Sequence, residues 1–452
     1  MAKLNGVMYP NLYYAINDWF GWKINAFKIF YTFGIFVALS FIVSAYFFTL
    51  ELKRKEKQGL LQPREETITV GRPASIFDLL INGLVGFIFG YKIIGVFLAS
   101  RGQGVDLQEY IFSSSGSLGG GIIMAAVLIF FKYREKNKQK LPRPEKRIIR
   151  IWPHDRVGDI VIFALVFGII GAKLFDNFEN WDRFIQNPIG NLLSPSGLTF
   201  YGGLICAGVA ICIYARKKEI SLSHLTDAIA PAMMIAYAIG RIGCQVAGDG
   251  DWGIYNSAYI SDVPGHAVAA TPSQFKEHVV QYSTYFLNGT VIEPSGTITN
   301  VTDRHAETLE KVPHKNFRGP SFLPTWIFAY TYPHNVNEDG ILLPDCDDKY
   351  CRALPQPVFP TPFYETVVCG IFFLVLWLIR KKIKIPGVMF SIYLILNGIE
   401  RFLVETIRVN STYSIFGLHP TQAELISATL VIAGTVWLII STRNRTSDLF
   451  AD

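Results

Sequence analysis

Long apolar blocks recur along the sequence, and they constrain its fold more than any other feature. A bilayer's hydrocarbon core of about 30 Å needs roughly 20 apolar residues in helical form. Stretches that approach or meet this length lie at residues 27–50, 75–99, 117–133, 157–175, 198–215, 225–246, 362–380, 385–405 and 420–441. A single block could be a buried core helix, but only 17% of all residues are charged, against about 25% in soluble domains. The pattern predicts an all-α polytopic membrane protein with about nine transmembrane helices.

Basic residues in the loops predict the orientation of these helices. Residues 51–74 contain six Lys and Arg and residues 132–156 contain ten, whereas the alternate loops 100–116 and 176–197 hold one each. We therefore expect the N-terminus outside and the C-terminus in the cytoplasm. The polar N-terminus lacks a signal-peptide pattern, so the first helix is expected to be retained. These loops also explain the formal net charge of +6, which is therefore no evidence of nucleic-acid binding.

Residues 247–361 break the helical pattern. This segment is polar and rich in Pro, Asn and Thr, and it is predicted to be an extracytoplasmic insertion between the sixth and seventh helices. Cys346 and Cys351 in its CDDKYC sequence could form a disulfide in an oxidising compartment, a pairing that the sequence leaves open. We expect an extracytoplasmic N-terminal segment, six helices, the insertion, three helices and a cytoplasmic tail, at residues 1–26, 27–246, 247–361, 362–441 and 442–452.

One helical hairpin occurs twice in the sequence. DLLINGLVGFIFGYK begins at Asp78 and DIVIFALVFGIIGAK begins at Asp159, and each pairs Asp with Lys fourteen residues later. Downstream, GGII at 120–123 matches GGLI at 202–205. The expected copies span residues 72–135 and 155–218. The alternative is two unrelated Gly-rich apolar helices. Gly119 stands where the second copy has a tyrosine, so the first copy is expected to be scaffold.

An arginine lies near the outer end of the sixth predicted helix. A charge within a transmembrane helix is costly and requires a partner or a function. Arg241 begins the sequence RIGCQVAGDGDWG, whose small residues would let a lipid headgroup approach closely, and Asp249 and Asp251 follow in a glycine-rich turn. Three alternatives are a snorkelling arginine, a simple helix exit, and a Ca²⁺ loop, although the remaining carboxylates of an EF-hand are missing. No metal site is predicted.

The eighth predicted helix carries further charges in NGIERFLVETIR. Helical spacing places four polar residues on one face, namely Asn397, Arg401, Glu405 and Arg408. An Arg401–Glu405 pair that only neutralises itself is one interpretation. However, Arg241, Arg401 and Arg408 all fall at the same end of their helices, and arginine binds phosphate bidentately. Together they predict a shared outer pocket for the head of an anionic phospholipid.

Aromatic residues lie at or near the outer ends of several predicted helices. Tyr201 in SGLTFYGGLICAG begins the fifth helix beside Gly202, which permits close approach. Tyr364 and Glu365 in PFYET begin the seventh helix, and Tyr31 lies in the outer third of the first. For Tyr31 and Tyr364 the default interpretation is an aromatic belt at the membrane interface.

These motifs, in this order, resemble the prolipoprotein diacylglyceryl transferase family. GRIG with its Gly/Asp turn and WG resembles the family signature, FYGGLI stands at the position of an HGG-type motif, and PFYE and ERFLVETIR resemble further blocks. The resemblance is weak over residues 24–50 and good over 155–253 and 360–441. It implies a multi-pass protein of the bacterial plasma (inner) membrane that transfers the diacylglyceryl group of phosphatidylglycerol to a cysteine thiol, releasing glycerol phosphate. The implied partners are phosphatidylglycerol, prolipoprotein signal peptides with a lipobox cysteine, and membrane lipid. Neither a cofactor nor nucleic acid is expected.

The resemblance also implies roles for individual residues. Arg241 would bind the lipid phosphate and Arg401 would act as a catalytic clamp, while Glu405 and an acid of the turn would orient the arginines or handle protons. The implied catalytic set is Arg241, Arg401, Glu405, Tyr201 and Asp249, with Asp251 as the alternative acid. The implied phosphatidylglycerol-binding set is Arg241, Arg401, Tyr201, Gly202, Tyr31 and Gly253.

Two departures from the family pattern concern the chemistry. The histidine of the HGG motif is Tyr201 here, and the asparagine after GRIG is Cys244. A thiol, with an ordinary pKa of about 8.5, must lose its proton before it attacks carbon. Because tyrosine is a poor base at neutral pH, the activation of the thiol is unassigned. The alternatives are a divergent active enzyme, which the arginines favour, a transferase with another acceptor, and a phospholipid-binding transporter or non-catalytic scaffold.

Overall fold

The structure, a computed structural model, describes most of the chain. The described residues are 8–99, 110, 113–194, 197–263, 265–293, 295–303, 305–344, 346, 349–408, 413 and 419–449. The chain divides into two compact units. The first unit consists of Met1–Trp22, Phe30–Phe47 and Thr226–Asp452, and the second consists of Lys23–Ile29 and Phe48–Leu225.

Each predicted apolar block contains a helix. The helices are α1 (Leu12–Phe20), α2 (Thr32–Lys57), α3 (Ile76–Ala99), α4 (Leu118–Lys138), α5 (Val157–Glu179), α6 (Trp181–Gln186), α7 (Pro188–Leu193), α8 (Phe200–Lys217), α9 (Leu222–Ala247), α10 (Pro272–Gln281), α11 (Ser283–Asn288), α12 (Thr361–Ile379), α13 (Val388–Glu405) and α14 (Gln422–Leu449). Among the described residues, seven helices are long and apolar enough to cross a membrane, as expected of a polytopic membrane protein: α2, α3, α5, α8, α9, α12 and α14. The helices α4 and α13 occupy the two other blocks, but α4 becomes polar from Lys132 and α13 contains three charged residues. The count of about nine spans and their orientation stay predictions.

Two hairpins dominate the second unit, and they pack through equivalent glycines. In the first hairpin α3 packs on α4, and in the second α5 packs on α8. A side chain at Gly90 would clash with the backbone of Gly120, and one at Gly171 would clash with the backbone of Gly202. Gly90 and Gly171 occupy the same position in the two sequence copies. Both hairpins therefore depend on close backbone approach at the same place.

The repeated lysines also have equivalent contacts. The Nζ atom of Lys92 donates to the carbonyl oxygens of Ser113 at 2.5 Å and Ser115 at 2.8 Å. The Nζ atom of Lys173 donates to the carbonyl oxygen of Gly197 at 3.3 Å. In each copy the lysine thus binds the backbone just before the second helix of its hairpin. That the hairpins arose by duplication, and that the first is scaffold, remain hypotheses.

Short two-stranded sheets correct the expectation of an all-α chain to a mostly helical one. Strand β1 (Arg64–Val70) pairs antiparallel with β2 (Glu145–Ile151), so that Arg64 lies opposite Ile151. Alternating threonine and isoleucine favour extended backbone here. Across the pair, Nε of Arg150 lies 3.0 Å from Oε1 of Glu65. Both strands lie in segments that the sequence indicated only as basic loops.

The polar segment after α9 folds around an aromatic core within the first unit. Its strands are β3 (Tyr255–Asn256), β4 (Tyr259–Val263), β5 (His266–Ala269), β6 (Thr290–Ile292), β7 (Ile298–Asn300), β8 (His314–Lys315), β9 (Ile341–Leu342) and β10 (Arg352–Ala353). The buried aromatic residues are Trp252, Phe275, Tyr285, Phe286, Tyr330 and Tyr332. A disulfide joins Cys346 to Cys351, which confirms the pairing considered from the sequence.

Candidate active site

Arg241 lies within the last two turns of α9, and its guanidinium contacts two acids. Its Nε atom lies 2.6 Å from Oε2 of Glu365, and its Nη1 atom donates to Oδ2 of Asp251. The Nη2 atom is 3.5 Å from the hydroxyl oxygen of Tyr237, one helical turn earlier. The side chain is only 16% exposed. A snorkelling arginine would extend into solvent, so these contacts favour a held, partly buried cation instead.

Glu365, near the start of α12, is the acid on which three arginines converge. Besides the contact with Arg241, its Oε1 atom lies 3.3 Å from Nη1 of Arg401 and 3.4 Å from Nη1 of Arg408. The Glu365 side chain is 0% exposed. A buried carboxylate costs free energy unless it is paired, so this residue must remain surrounded by cations to be ionised. Glu365 thereby fixes three guanidinium groups in one small volume.

Asp251 in the turn after α9 bridges two of the same arginines. Its Oδ2 atom accepts from Arg241, and its Oδ1 atom lies 2.5 Å from Nη2 of Arg408. Burial acts to raise the pKa of Asp251, but the charges of Arg241 and Arg408 outweigh it and lower that pKa to about 2. Asp251 is therefore a permanent anion at neutral pH. Of the two acids left open by the sequence, it is the one that orients arginines.

Arg408 does not lie on the helical face where it was predicted. Helix α13 ends at Glu405, so Arg408 lies just beyond the helix and is not part of its face. It still reaches the cluster, and its side chain is 9% exposed. Within α13, Nη2 of Arg401 lies 3.2 Å from Oε2 of Glu405, which is the pairing expected at this spacing. Since Arg401 also contacts Glu365, the pair does more than neutralise itself.

The turn from Gly248 to Gly253 is held by backbone contacts. Gly248 and Gly250 adopt φ values of 65° and 89°, a region that glycine occupies without strain. The N–H of Gly253 donates to the carbonyl oxygen of Phe359 at 2.8 Å, and a side chain at Gly253 would clash with the carbonyl of Ile407. Gly253 thus positions the turn that carries Asp251; no contact with a ligand follows from its geometry.

Asp249 contributes differently from Asp251. It is half-buried and forms no ion pair in the described residues, and burial together with the charge of Asp251 raises its pKa. Potential ligand atoms of Cys244, Asp249 and Asp251 lie within 4.8 Å of one another. However, Asp251 already accepts from two arginines, and a metal ion would have to displace them. The donor set therefore fits an arginine-bound carboxylate better than a cation site.

The remaining residues of the expected set make contacts within their own compact units. Tyr201 and Gly202 begin α8 in the second unit, where Gly202 packs on α5. Tyr31 belongs to the first unit, and its hydroxyl lies 3.5 Å from that of Tyr350 in the insertion. Arg241, Arg401 and Arg408 with Glu365, Asp251 and Glu405 form one arginine network. Of the expected set, Arg241, Arg401 and Glu405 belong to it. Whether Tyr201, Gly202 and Tyr31 bind lipid stays a prediction.

Two members of the network were not in the implied catalytic or phosphatidylglycerol-binding sets. Glu365 was noted only as the start of a helix, whereas Arg408 was counted among the arginines of the outer pocket but was given no role of its own. The signal for Glu365 is an acid one turn inside an apolar helix, because such a charge needs a cationic partner. The same signal applies to Glu400, which precedes Arg401 in α13 and is 1% exposed.

Comparisons with known proteins agree on one family. A family model described as prolipoprotein diacylglyceryl transferase matches residues 120–440, a range that includes every arginine of the network. The chain is similar to proteins named phosphatidylglycerol–prolipoprotein diacylglyceryl transferase. That of Leptospira interrogans is 25% identical over 279 residues, covering 56% of this chain and 61% of the relative. That of Enterococcus faecalis is 26% identical over 293 residues, covering 64% and 77%. That of Listeria welshimeri is 35% identical over 150 residues, covering 31% and 50%. The match thus spans less than two thirds of the Leptospira relative's length.

Proposed function

Because the chain belongs to the prolipoprotein diacylglyceryl transferase family, we propose that it transfers the diacylglyceryl group of phosphatidylglycerol to a cysteine thiol of prolipoproteins. The product is a thioether, and glycerol phosphate is released. The observation that carries the proposal is the convergence of Arg241, Arg401 and Arg408 on Glu365 inside the family-matched range. Its acceptor is the lipobox cysteine of prolipoprotein signal peptides.

The arginines suit the charge changes of this reaction. The thiolate sulfur attacks the glyceryl carbon that bears the phosphate, a C–S bond forms, and the C–O bond to phosphate breaks. Negative charge grows on the departing phosphate, and preorganised donors stabilise such charge without moving at the moment of reaction. Arg241 binds the lipid phosphate and Arg401 clamps it as it leaves. A guanidinium has five N–H donors, so each arginine can hold its carboxylate and a phosphate oxygen together.

The acids keep the arginines in place before the lipid arrives. Three mutually close guanidinium groups repel one another unless anions lie between them. Glu365 and Asp251 supply those anions, and Glu405 fixes the second edge of Arg401. The proposal assigns a positioning role to these three acids. It leaves Asp249, Tyr201, Gly202, Tyr31 and Gly253 as further candidates for contacts with the lipid or the thiol.

The proposed setting is the bacterial plasma (inner) membrane. There the chain crosses the bilayer about nine times with its N-terminus outside and its C-terminus in the cytoplasm. The segment 247–361 then lies on the outer side, which is where prolipoproteins emerge. The alternation of basic loops supports this orientation.

A transferase with a different acceptor is the second candidate. The observation in its favour is the pair of departures at Tyr201 and Cys244, both in motifs that resemble the family's. Such a protein would keep the arginine network, consume phosphatidylglycerol and leave lipobox peptides unmodified. A transporter or scaffold would bind the lipid without consuming it.

Complementation tests the proposal directly. The chain is expressed in a bacterial strain depleted of its own diacylglyceryl transferase, and growth and lipoprotein maturation are measured. We expect rescue by the wild-type chain and loss of rescue by Arg241→Ala and Arg401→Ala. Arg318→Ala, which alters an exposed arginine of the insertion, is the matched control and should rescue. Correctly inserted wild-type protein that fails to rescue would favour the other acceptor or the scaffold.

A further inference from the structure

A second buried glutamate lies beside the arginine network. Glu400 is 1% exposed on α13, and neither of its carboxyl oxygens has a hydrogen-bond partner among the described residues. Buried polar groups in folded proteins are almost always paired, so an exception requires an explanation. An ionisable residue within the apolar part of a membrane protein is by default a candidate functional group.

The surroundings of Glu400 differ from those of Glu365. Three helices bring titratable or charged groups close enough to act on its carboxyl. They are Tyr237 and Arg241 from α9, Glu365 and Cys369 from α12, and Tyr393 and Arg401 from α13, together with Arg408 just past the end of α13. The arginines, however, direct their contacts to other acids. No arginine forms an ion pair with Glu400 in the described residues.

The charges of the network are already balanced without Glu400. Its three guanidinium groups are matched by three carboxylates, those of Glu365, Asp251 and Glu405. An ionised Glu400 would add a fourth negative charge in a buried position, and a bound phosphodiester would add another. Like charges at close range disfavour ionisation. Glu400 is therefore neutral and carries a proton when an anionic lipid occupies the site.

We propose that Glu400 is the proton donor to the phosphate that leaves in the transfer reaction, an inference that rests on the proposed function. As the C–O bond breaks, its electron pair stays on the phosphate oxygen and the leaving group becomes a dianion. The proton of Glu400 moves to that phosphate, which departs as the monoanion of glycerol phosphate. The acceptor thiol gives up its proton to water before it attacks, and the Glu400 carboxylate takes a proton from water before the next turnover, so protons balance over the cycle.

The balance of charge explains why Glu400 donates a proton and does not remove the one on the thiol. A base must be ionised when the substrate binds, and the network leaves no cation for that carboxylate. An acid must be neutral at that moment and lose its proton as negative charge appears nearby. The developing phosphate charge falls between Arg241 and Arg401, both of which act on Glu400. General acid catalysis of this kind contributes about 10²- to 10⁴-fold in rate.

Glu400→Gln separates this role from a structural one. Glutamine mimics the neutral acid, so we expect unchanged thermal stability and an unchanged KM for phosphatidylglycerol, with kcat lowered at least about 100-fold. Wild-type kcat should fall at alkaline pH as Glu400 loses its proton, and the variant should lack that decline. Glu277→Gln, an exposed glutamate of α10, is the control and should behave as wild type.

A substrate analogue adds a second readout. Replacing a non-bridging phosphate oxygen of phosphatidylglycerol by sulfur gives a less basic leaving group that needs protonation less. The loss of kcat in Glu400→Gln should therefore shrink with this analogue. A variant with full kcat, or one that loses stability or lipid affinity, would overturn the proposal while leaving the transferase function intact. Wild-type protein that makes no product with either lipid would instead contradict the function itself.

Discussion

Glu365, the buried carboxylate that contacts all three arginines, allows a quantitative prediction about stability. Glu365→Gln keeps the size of the side chain and removes its charge. Nε of Arg241 then loses an anion 2.6 Å away, and Arg401 and Arg408 lose one at 3.3 and 3.4 Å. Asp251 and Glu405 remain, so the three arginines would keep ion pairs with only two acids. We expect the folded state to be destabilised because the three contacts that converge on Glu365 are lost and Glu400, which forms no ion pair with these arginines in the described residues, does not replace them.

The magnitude follows from two opposing effects. At an effective dielectric constant of about 20, unit charges about 4 Å apart attract by about 4 kcal/mol. Burying the Glu365 carboxylate costs several kcal/mol, which offsets much of its three attractions. Removing one partner of a buried ion pair typically costs about 3–5 kcal/mol, because the other charge is left uncompensated. We expect Glu365→Gln to lower the free energy of unfolding by an amount in this range.

The measurement is reversible unfolding of purified protein in mixed micelles with increasing dodecyl sulfate, followed by tryptophan fluorescence. Glu277→Gln is the matched control, since it removes an exposed carboxylate, and should change stability by less than about 0.5 kcal/mol. Added glycerol phosphate should stabilise Glu365→Gln more than wild type, because an anion that binds the folded state raises its stability. If Glu365→Gln unfolds like the control, the network does not hold the arginines as described.

Further perturbations test the turn and the hairpins. Asp251→Asn should lower the free energy of unfolding at pH 7 by about 1–2 kcal/mol after allowance for solvent screening. The pKa of Asp251, about 2, lies below its ordinary value of 3.8. The stabilisation by Asp251 is therefore complete above pH 3.8 and is lost as the pH falls through about 2. Asp249→Asn should leave stability unchanged or raise it in the same assay, since a raised pKa means that the ionised carboxylate costs stability at neutral pH. Gly90→Leu should cost about 1–3 kcal/mol by overpacking the first hairpin. Gly119→Leu, where an added side chain meets open space, is its control, and equal losses would contradict the close packing.

The long apolar helices could be predicted from sequence, because the length of an apolar run determines whether it can span a bilayer, whereas the short helices such as α1 and α10 were not predicted. Each predicted block contains a helix, and Arg241, Arg401 and Glu405 belong to one network. The β1–β2 pair was missed because its two short strands are separated by a whole hairpin and are rich in charge. Local patterns do not reveal which distant strand will pair.

Ion-pair partners were the least predictable part of the site. Glu365 lies far from Arg241 in sequence, and only the packing of α9, α12 and α13 brings them together. Arg408 was placed on a helical face, but α13 ends before it, and a turn carries the side chain to the same acids. Sequence spacing gives neighbours within a helix. It does not give the neighbours that tertiary packing creates.

The central claim is that the arginine network serves diacylglyceryl transfer, and product analysis tests it most directly. Purified protein is incubated with phosphatidylglycerol and a lipobox peptide, and the peptide is examined by mass spectrometry while released glycerol phosphate is quantified. We predict a thioether-linked diacylglyceryl peptide, an equal amount of glycerol phosphate, and neither product with Arg401→Ala. Unmodified peptide from folded, lipid-binding wild-type protein, under conditions where an active family member modifies it, would contradict the claim.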